Sequence, residues 1–188
     1  FDRVTFVASI DGIGNSIEYM RRRTDWSEVV ENIELCKKYP NVVVDFNGLV
    51  SFLSVMRFYE IIDWCKAHPV INQLNWAHVD NPKHLKPSNL PKPIKDKLIS
   101  KYRDWPDIVA ALEMPSDPDV DVQDVFEYLL RGDKFYEGTK WESHLFDVFP
   151  ELKEFYIPKE LSPEKEQLFK SWDNTVKKQE EKADRNII

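Results

Sequence analysis

The first part of the chain repeats a unit in which a short apolar run is followed by an amphipathic one. Apolar runs rich in β-branched and aromatic types cover residues 3–10 and 41–51, and a more polar alternating run covers residues 70–79. Apolar residues recur at helical spacing over residues 26–39 and 54–68, and each of these segments ends at a proline. Three strands joined by two helices predict a parallel sheet with right-handed crossovers.

The character of the sequence changes after residue 80, where prolines become frequent and no further strand pattern occurs. The chain therefore divides into an α/β part over residues 1–80 and a helical extension over residues 81–188. The extension is expected to end in a strongly charged, solvated helix. Its predicted helices cover residues 91–103, 105–113, 121–137 and 140–149, and a last one begins at Ser162.

Three parallel strands complete neither a closed barrel nor a doubly wound sheet. The sequence begins with Phe1 rather than Met, directly before the first strand. We therefore expect that the chain begins within a domain and that its first strand is an unpaired apolar edge. Poor solubility of the isolated chain is the corresponding prediction.

Charge, hydropathy and cysteine content disfavour several classes of function. With 33 acidic against 26 basic residues, the formal net charge of -7 disfavours nonspecific binding to nucleic acid or to an anionic membrane. No apolar run approaches the roughly 18 to 20 residues of a membrane-spanning helix, and no leader pattern occurs, so a cytoplasmic protein is expected. Cys36 and Cys65 lack a CxxC partner and are interpreted as buried thiols rather than metal ligands.

Candidate binding residues follow the first strand, because ligands of open parallel sheets bind beyond the carboxyl ends of the strands. Ser9 and Asp11 are two positions apart and share a face, where a hydroxyl and a carboxylate can bind the vicinal hydroxyls of a ribose. Gly12 and Gly14 allow the backbone to approach a ligand closely. The alternative is that Asp11 only organises a turn.

Three consecutive arginines lie in the same connection. A guanidinium near the strand ends, as at Arg21, could hold a carboxylate through paired hydrogen bonds. For Arg22 and Arg23 we favour the alternative of an exposed basic cluster at a helix start.

Histidines and tryptophans offer weaker signals. His78 and His84 bracket Asp80 and could form a proton relay or a metal pair, but no third ligand has suitable spacing, so a structural or substrate-contact role is favoured. The six tryptophans could stack on bases or a peptide, yet most occupy apolar helix positions and core packing is favoured. They are Trp26, Trp64, Trp76, Trp105, Trp141 and Trp172.

The stretch TFVASIDGIG, followed by Arg21 and a WSEVVENI helix, resembles the fourth strand of a radical S-adenosylmethionine (SAM) barrel and the loop after it. The second strand resembles the fifth strand of that barrel, with Ser51 at the polar position that faces SAM. Ser54 stands where relatives usually have Asn. Residues 76–91 and the IKDKLI helix that follows them are similar to a subgroup with an N-terminal twitch domain, a short Cys-rich module that holds an auxiliary cluster. The resemblance covers about residues 1–105.

The resemblance implies a set of cofactor contacts. It implies ribose contacts for Ser9 and Asp11, and a contact between Arg21 and the methionyl carboxylate of SAM. The full set of cofactor-binding residues so predicted is Ser9, Asp11, Gly12, Arg21 and Ser51.

The resemblance also implies a fold and a chemistry. The fold is α/β, a partial (βα) barrel whose three strands are the fourth to sixth, followed by the helical extension. The parent protein would use SAM, a 4Fe-4S cluster, an external electron donor and a peptide, protein or small-molecule substrate. The CxxxCxxC motif that holds the cluster does not occur in this chain, and Cys36 and Cys65 cannot supply three thiolates. The chain alone should therefore not cleave SAM.

Two other classes stay open. One is a non-enzymatic α/β binding or interaction domain in which Ser9, Asp11 and the glycines only shape a turn. The other is a doubly wound nucleotide-binding fold, which ranks low because Gly12 and Gly14 lack a third glycine at the dinucleotide spacing.

Overall fold

The computed structural model describes residues 1–158 and residue 167. Three strands, β1 (Val4–Ser9), β2 (Val42–Val50) and β3 (Ile71–His78), form a parallel open sheet in the order β1-β2-β3. All three predicted strands are thus confirmed to within about one residue at each end, as is the α/β class.

Seven α-helices occur in the described part of the chain. In the connection between β1 and β2 lie α1 (Gly14–Met20) and α2 (Trp26–Cys36), and α3 (Phe58–Ala67) joins β2 to β3. The extension contains α4 (Lys92–Lys101), α5 (Pro106–Glu113), α6 (Val122–Tyr136) and α7 (Leu145–Val148). Short 3-10 turns cover Ser54–Met56, Lys83–Leu85, Pro87–Asn89 and Pro150–Phe155.

The structure corrects two of the sequence predictions. The expected loop after β1 contains α1, which is short and is stabilised by the Ser16 hydroxyl bonded to the Ile13 backbone and by burial of Ile17. The helix expected over residues 140–149 is only α7, because the carbonyl oxygens of Trp141 and Ser143 accept hydrogen bonds from Arg22 instead of from later N–H groups. The charged helix expected from Ser162 lies outside the described residues.

One face of the sheet is covered by the connecting helices. Phe46 of β2 is fully buried and stacks on Trp64 of α3, with 5.8 Å between ring centroids. Trp64 in turn contacts Trp26 of α2, which places both helices on the same face. Gly48 is required here because a Cβ at this position would lie 2.7 Å from the Phe58 ring. Such a one-sided arrangement is expected when the strand order is consecutive, because parallel crossovers almost always have the same hand and then lie on the same face.

The opposite face of the sheet carries polar side chains on all three strands, together with the exposed Val7 and Leu49. Ser9, Asn47 and Asn75 lie side by side in register on the three strands and are exposed. Asn75 Nδ2 donates to Asn47 Oδ1 at 3.3 Å, and Asn72 Nδ2 donates to Asp45 Oδ1 at 2.8 Å. This face therefore exposes polar side chains to solvent near the carboxyl ends of the strands.

The helical extension packs on the segment that follows β2. Phe126 of α6 contacts Phe52 edge-on, and both rings are fully buried. The Tyr102 hydroxyl donates to Val55 O at 2.7 Å and accepts from Tyr59 N at 2.9 Å. One hydrophobic core therefore includes residues from both predicted parts of the chain.

Among the described residues β1 pairs with β2 alone, so it is an edge strand, and it exposes apolar side chains on both faces of the sheet. Phe6 and Val7 are 55% and 59% exposed. None of the described helices has the length and apolar character needed to cross a membrane.

Candidate functional site

A cavity of about 410 Å³ lies between the carboxyl ends of the strands and α6. Its floor includes Asp11 after β1, Leu49 and Ser51 at the end of β2, and Val79 and Asn81 after β3. This is the position where parallel α/β sheets bind ligands, and the volume falls within the range of small-molecule sites. The roof is formed by Tyr128, Leu129, Arg131, Gly132, Phe135 and Tyr136 of α6.

Asp11 links the ends of two strands. Its Oδ1 accepts from Leu49 N at 2.8 Å, and its Oδ2 accepts from Arg21 Nε at 2.8 Å. The Asp11 side chain is 13% exposed, whereas that of Arg21 is 41% exposed. The pair therefore combines a fixed carboxylate with a guanidinium that solvent, or a ligand, can reach.

Ser51 is held in the cavity wall by Ser54. Ser54 is fully buried; its hydroxyl accepts from Ser51 N at 2.7 Å and donates to Leu49 O at 2.5 Å. The Ser51 hydroxyl accepts from Ser54 N at 3.2 Å. Ser54 is thus a structural residue that orients Ser51.

The five predicted cofactor contacts do not all meet in one place. Asp11 and Ser51 line the cavity, while Ser9 and Arg21 line a second groove that runs along β1 and α2. Gly12 is buried, and a Cβ on it would lie 2.7 Å from Ser16 Oγ. The absence of a side chain at Gly12 therefore allows α1 to pack closely against the end of β1. The Asp11–Arg21 ion pair connects the cavity with the groove.

The prediction of an exposed basic cluster is wrong for Arg22. Its side chain is only 10% exposed, and Nη2 donates to Asp133 Oδ1 of α6 at 2.9 Å. The guanidinium lies 4.2 Å from the Tyr19 ring centroid and 5.2 Å from that of Tyr136. Because these partners surround it, Arg22 joins the connection after β1 to the roof of the cavity.

Burial dominates the electrostatics of this cluster. It raises the pKa of Asp133 above its ordinary value, although Leu145 N donates to Asp133 Oδ2 at 2.7 Å and Arg22 opposes the shift. Burial and the nearby Asp133 carboxylate raise the pKa of Tyr19, so this phenol stays neutral. The ion pair is therefore held in a desolvated environment.

The remaining candidates have separate, local contacts. His78 Nε2 lies 3.7 Å from Asp107 Oδ2, whereas the His84 ring packs edge-on against Tyr128 with 4.6 Å between centroids. Burial lowers the pKa of His84. Trp26, Trp64, Trp76 and Trp105 pack against the core, as predicted.

The described residues do not fit an iron-sulfur cluster. They contain no group of three His, Cys, Asp or Glu side chains that could hold a metal ion. Cys36 and Cys65 are half-buried thiols rather than fully buried ones, and burial raises the pKa of Cys65 to about 11. A neutral thiol is a poor metal ligand, because the thiolate is the form that binds.

Sequence reasoning missed the roof of the site. Asp133 and Gly132 lie in a segment predicted only as a helix, and Asp133 is 111 residues from Arg22 in the chain. No local pattern marks such a contact. The one available signal was an acidic residue and a glycine inside an amphipathic helix, which indicates no particular partner.

Comparison with known proteins identifies no relative of this chain. No family model matches the chain, and no curated protein and no solved structure matches it. What the site binds is therefore inferred from its own side chains.

Proposed function

We propose that this chain is the SAM-binding second half of a radical SAM enzyme, in which β1 to β3 are the fourth to sixth strands of a partial barrel. The observation that carries the proposal is the position of Asp11. Its carboxylate is fixed at the end of β1 by Leu49 N, beside the reachable guanidinium of Arg21 and at the border of the cavity. The one-sided sheet, with its polar face uncovered at Ser9, supports the same arrangement.

In this arrangement SAM lies across the end of β1. Its ribose hydroxyls donate to Asp11, whose two carboxylate oxygens offer about four acceptor positions, so the bond from Leu49 N is kept. Its methionyl carboxylate accepts from Arg21, and charge-assisted bonds of this kind are about twice as strong as neutral ones. Ser9 and Ser51 supply hydroxyls on either side.

The chain binds and orients SAM, and the radical chemistry belongs to the cofactor. In the parent protein a reduced cluster would donate one electron to SAM, whose C5'–S bond would break to give methionine and a 5'-deoxyadenosyl radical for hydrogen abstraction. The cysteines that would hold the cluster are not among the residues of this chain. The parent protein would also need an external electron donor, and it would act on a peptide, protein or small-molecule substrate.

The test is calorimetric titration of the 188-residue chain with SAM and with 5'-methylthioadenosine, which lacks the methionyl carboxylate. We expect Asp11→Asn to weaken the binding of both ligands about tenfold. We expect Arg21→Met to weaken the binding of SAM about tenfold and to leave the affinity for methylthioadenosine unchanged. Arg103→Met is the matched control, because the Arg103 side chain is 81% exposed and lies after α4. Absence of SAM binding to the wild-type chain, or equal affinity in Arg21→Met, would contradict the proposal.

A second candidate is the non-enzymatic α/β binding or interaction domain. Two observations favour it. Both Asp11 carboxylate oxygens already have partners within the chain, and Gly12 packs closely against Ser16 of α1. On this alternative Asp11→Asn lowers stability, and neither SAM nor methylthioadenosine binds. The same titrations therefore separate the two candidates.

A further inference from the structure

Gly132 is a glycine that the fold does not require. It lies inside α6, where a glycine costs about 1 kcal/mol relative to alanine. Its φ is not positive, and apart from its chain neighbours and the adjacent backbone of α6, no atom of the described residues lies within 4 Å of a Cβ built on it. Gly132 nevertheless lines the cavity, so the missing side chain keeps space open above the strand ends.

The rings around this space are held in place. Tyr19 and Tyr136 both stack on the Arg22 guanidinium, and the Phe135 and Tyr136 rings lie 5.1 Å apart in an edge-to-face arrangement. Tyr128 packs on His84, and burial raises the pKa of Tyr128 to about 12, so its phenol is neutral. Fixed aromatic side chains form a surface that suits the face or edge of another ring.

On the sheet side of the same cavity, Ser51 and Asn81 offer a hydroxyl and a carboxamide among apolar residues. The charged side chains that line the cavity are already engaged, because Asp11 is paired with Arg21 and Arg22 is paired with Asp133. Arg131 also interacts within the chain. A ligand that fits both sides is therefore neutral and planar, with one hydrogen-bonding group on its rim. A strongly charged ligand would leave the aromatic side of the cavity unused.

We propose that the cavity binds a planar aromatic group that bears a hydroxyl or amide, with the ring below Gly132 and the polar group at Ser51 and Asn81. The ring then lies beside the proposed position of SAM, with Asp11 between them. A substrate that gives up a hydrogen atom to the SAM-derived radical would have to lie at this place. Assigning the ring to the substrate rests on the proposed function. The ring site itself does not.

The probe for this site is p-cresol, titrated into the ¹⁵N-labelled chain and followed by NMR. We expect shifts centred on the amides of Ser51, Asn81 and Gly132. In Gly132→Leu the new side chain occupies the part of the cavity next to α6 and should weaken the binding of p-cresol about tenfold or more. Because leucine is a better helix former than glycine, this variant should melt no lower than the wild type.

Two controls make the result specific. Lys134→Leu adds the same side chain to the exposed face of α6 and should change the affinity by less than about twofold. The saturated probe 4-methylcyclohexanol carries the same groups on a puckered ring and should bind about fivefold more weakly than p-cresol. Equal affinity of Gly132→Leu and wild type for p-cresol, or equal binding of the two probes, would overturn the inference.

Titration with SAM separates this inference from the proposed function. If SAM does not bind but p-cresol binds and is lost in Gly132→Leu, the proposed function falls and the ring site stands. If both bind, Gly132→Leu should leave SAM within about twofold of wild type. Equal loss of SAM and p-cresol in Gly132→Leu would make the cavity the site of SAM itself, and would overturn the assignment of the ring to the substrate.

Discussion

Arg21 and Arg22 are neighbours in the chain and form two very different ion pairs. The Arg21–Asp11 pair has side-chain exposures of 41% and 13%, and it faces the groove beside β1. The Arg22–Asp133 pair has exposures of 10% and 7%, and it is surrounded by aromatic rings and backbone carbonyls. The comparison shows that burial, rather than residue type or position in the sequence, separates a structural arginine from one that a ligand can reach.

The two pairs also connect different parts of the site. Arg21 is tied through Asp11 to the end of β2, which belongs to the floor of the cavity. Arg22 is tied through Asp133 to α6, which forms the roof, and to the turn before α7. Consecutive residues thus hold the floor and the roof in a fixed relation.

The largest effect is expected from breaking the buried pair. Arg22→Met leaves the Asp133 carboxylate desolvated and without its cationic partner, with Leu145 N and the Tyr19 hydroxyl as neutral donors, and should lower the free energy of unfolding by roughly 3 to 5 kcal/mol. Urea denaturation measures this loss. The double variant Arg22→Met/Asp133→Leu should recover much of it, because no unpaired charge is then buried. A loss below about 1 kcal/mol for Arg22→Met would mean that the pair behaves as a surface pair.

A smaller effect is expected in the pH dependence of stability. The raised pKa of Asp133 means that the folded chain binds this proton more tightly than the unfolded chain does. The resulting stabilisation is complete below the ordinary pKa of 3.8 and is lost as the pH rises through the raised value. On acidification from neutral pH, the wild type should therefore gain stability relative to Asp133→Asn.

Urea denaturation of both chains over the acid range tests this sign. The comparison with Asp133→Asn cancels the other carboxylates, including Glu151, whose pKa is lowered and which acts in the opposite direction. A constant difference between the two chains across that range would contradict a raised pKa for Asp133.

Local patterns explain what the sequence could predict. The three strands follow from runs of apolar residues, and α2 begins after Asp25, whose side chain accepts from Ser27 N and Glu28 N. The position of Asp11 at a strand end follows from the same runs. The environment of Arg22 could not be predicted, because it depends on Asp133 and on carbonyls more than a hundred residues away.

The same long-range contacts explain the errors in the helices. The segment over 140–149 has helical composition, but Arg22 binds two of its carbonyl oxygens, and only α7 remains helical. The cavity was equally hidden, since its floor comes from residues between 11 and 81 and its roof from residues 128–136. Partial barrel closure and SAM binding remain predictions.

The smallest effect on stability is expected from the exposed pair. Arg21→Met removes an interaction that solvent already screens, so the free energy of unfolding should fall by about 1 kcal/mol or less. Urea denaturation at low and high salt measures this loss, which should shrink as salt rises because screening weakens the wild-type pair. A loss as large as that of Arg22→Met would mean that Arg21 is a structural residue. A small loss, combined with about tenfold weaker binding of SAM, would mean that the fold does not need this arginine and that its place beside Asp11 serves the ligand.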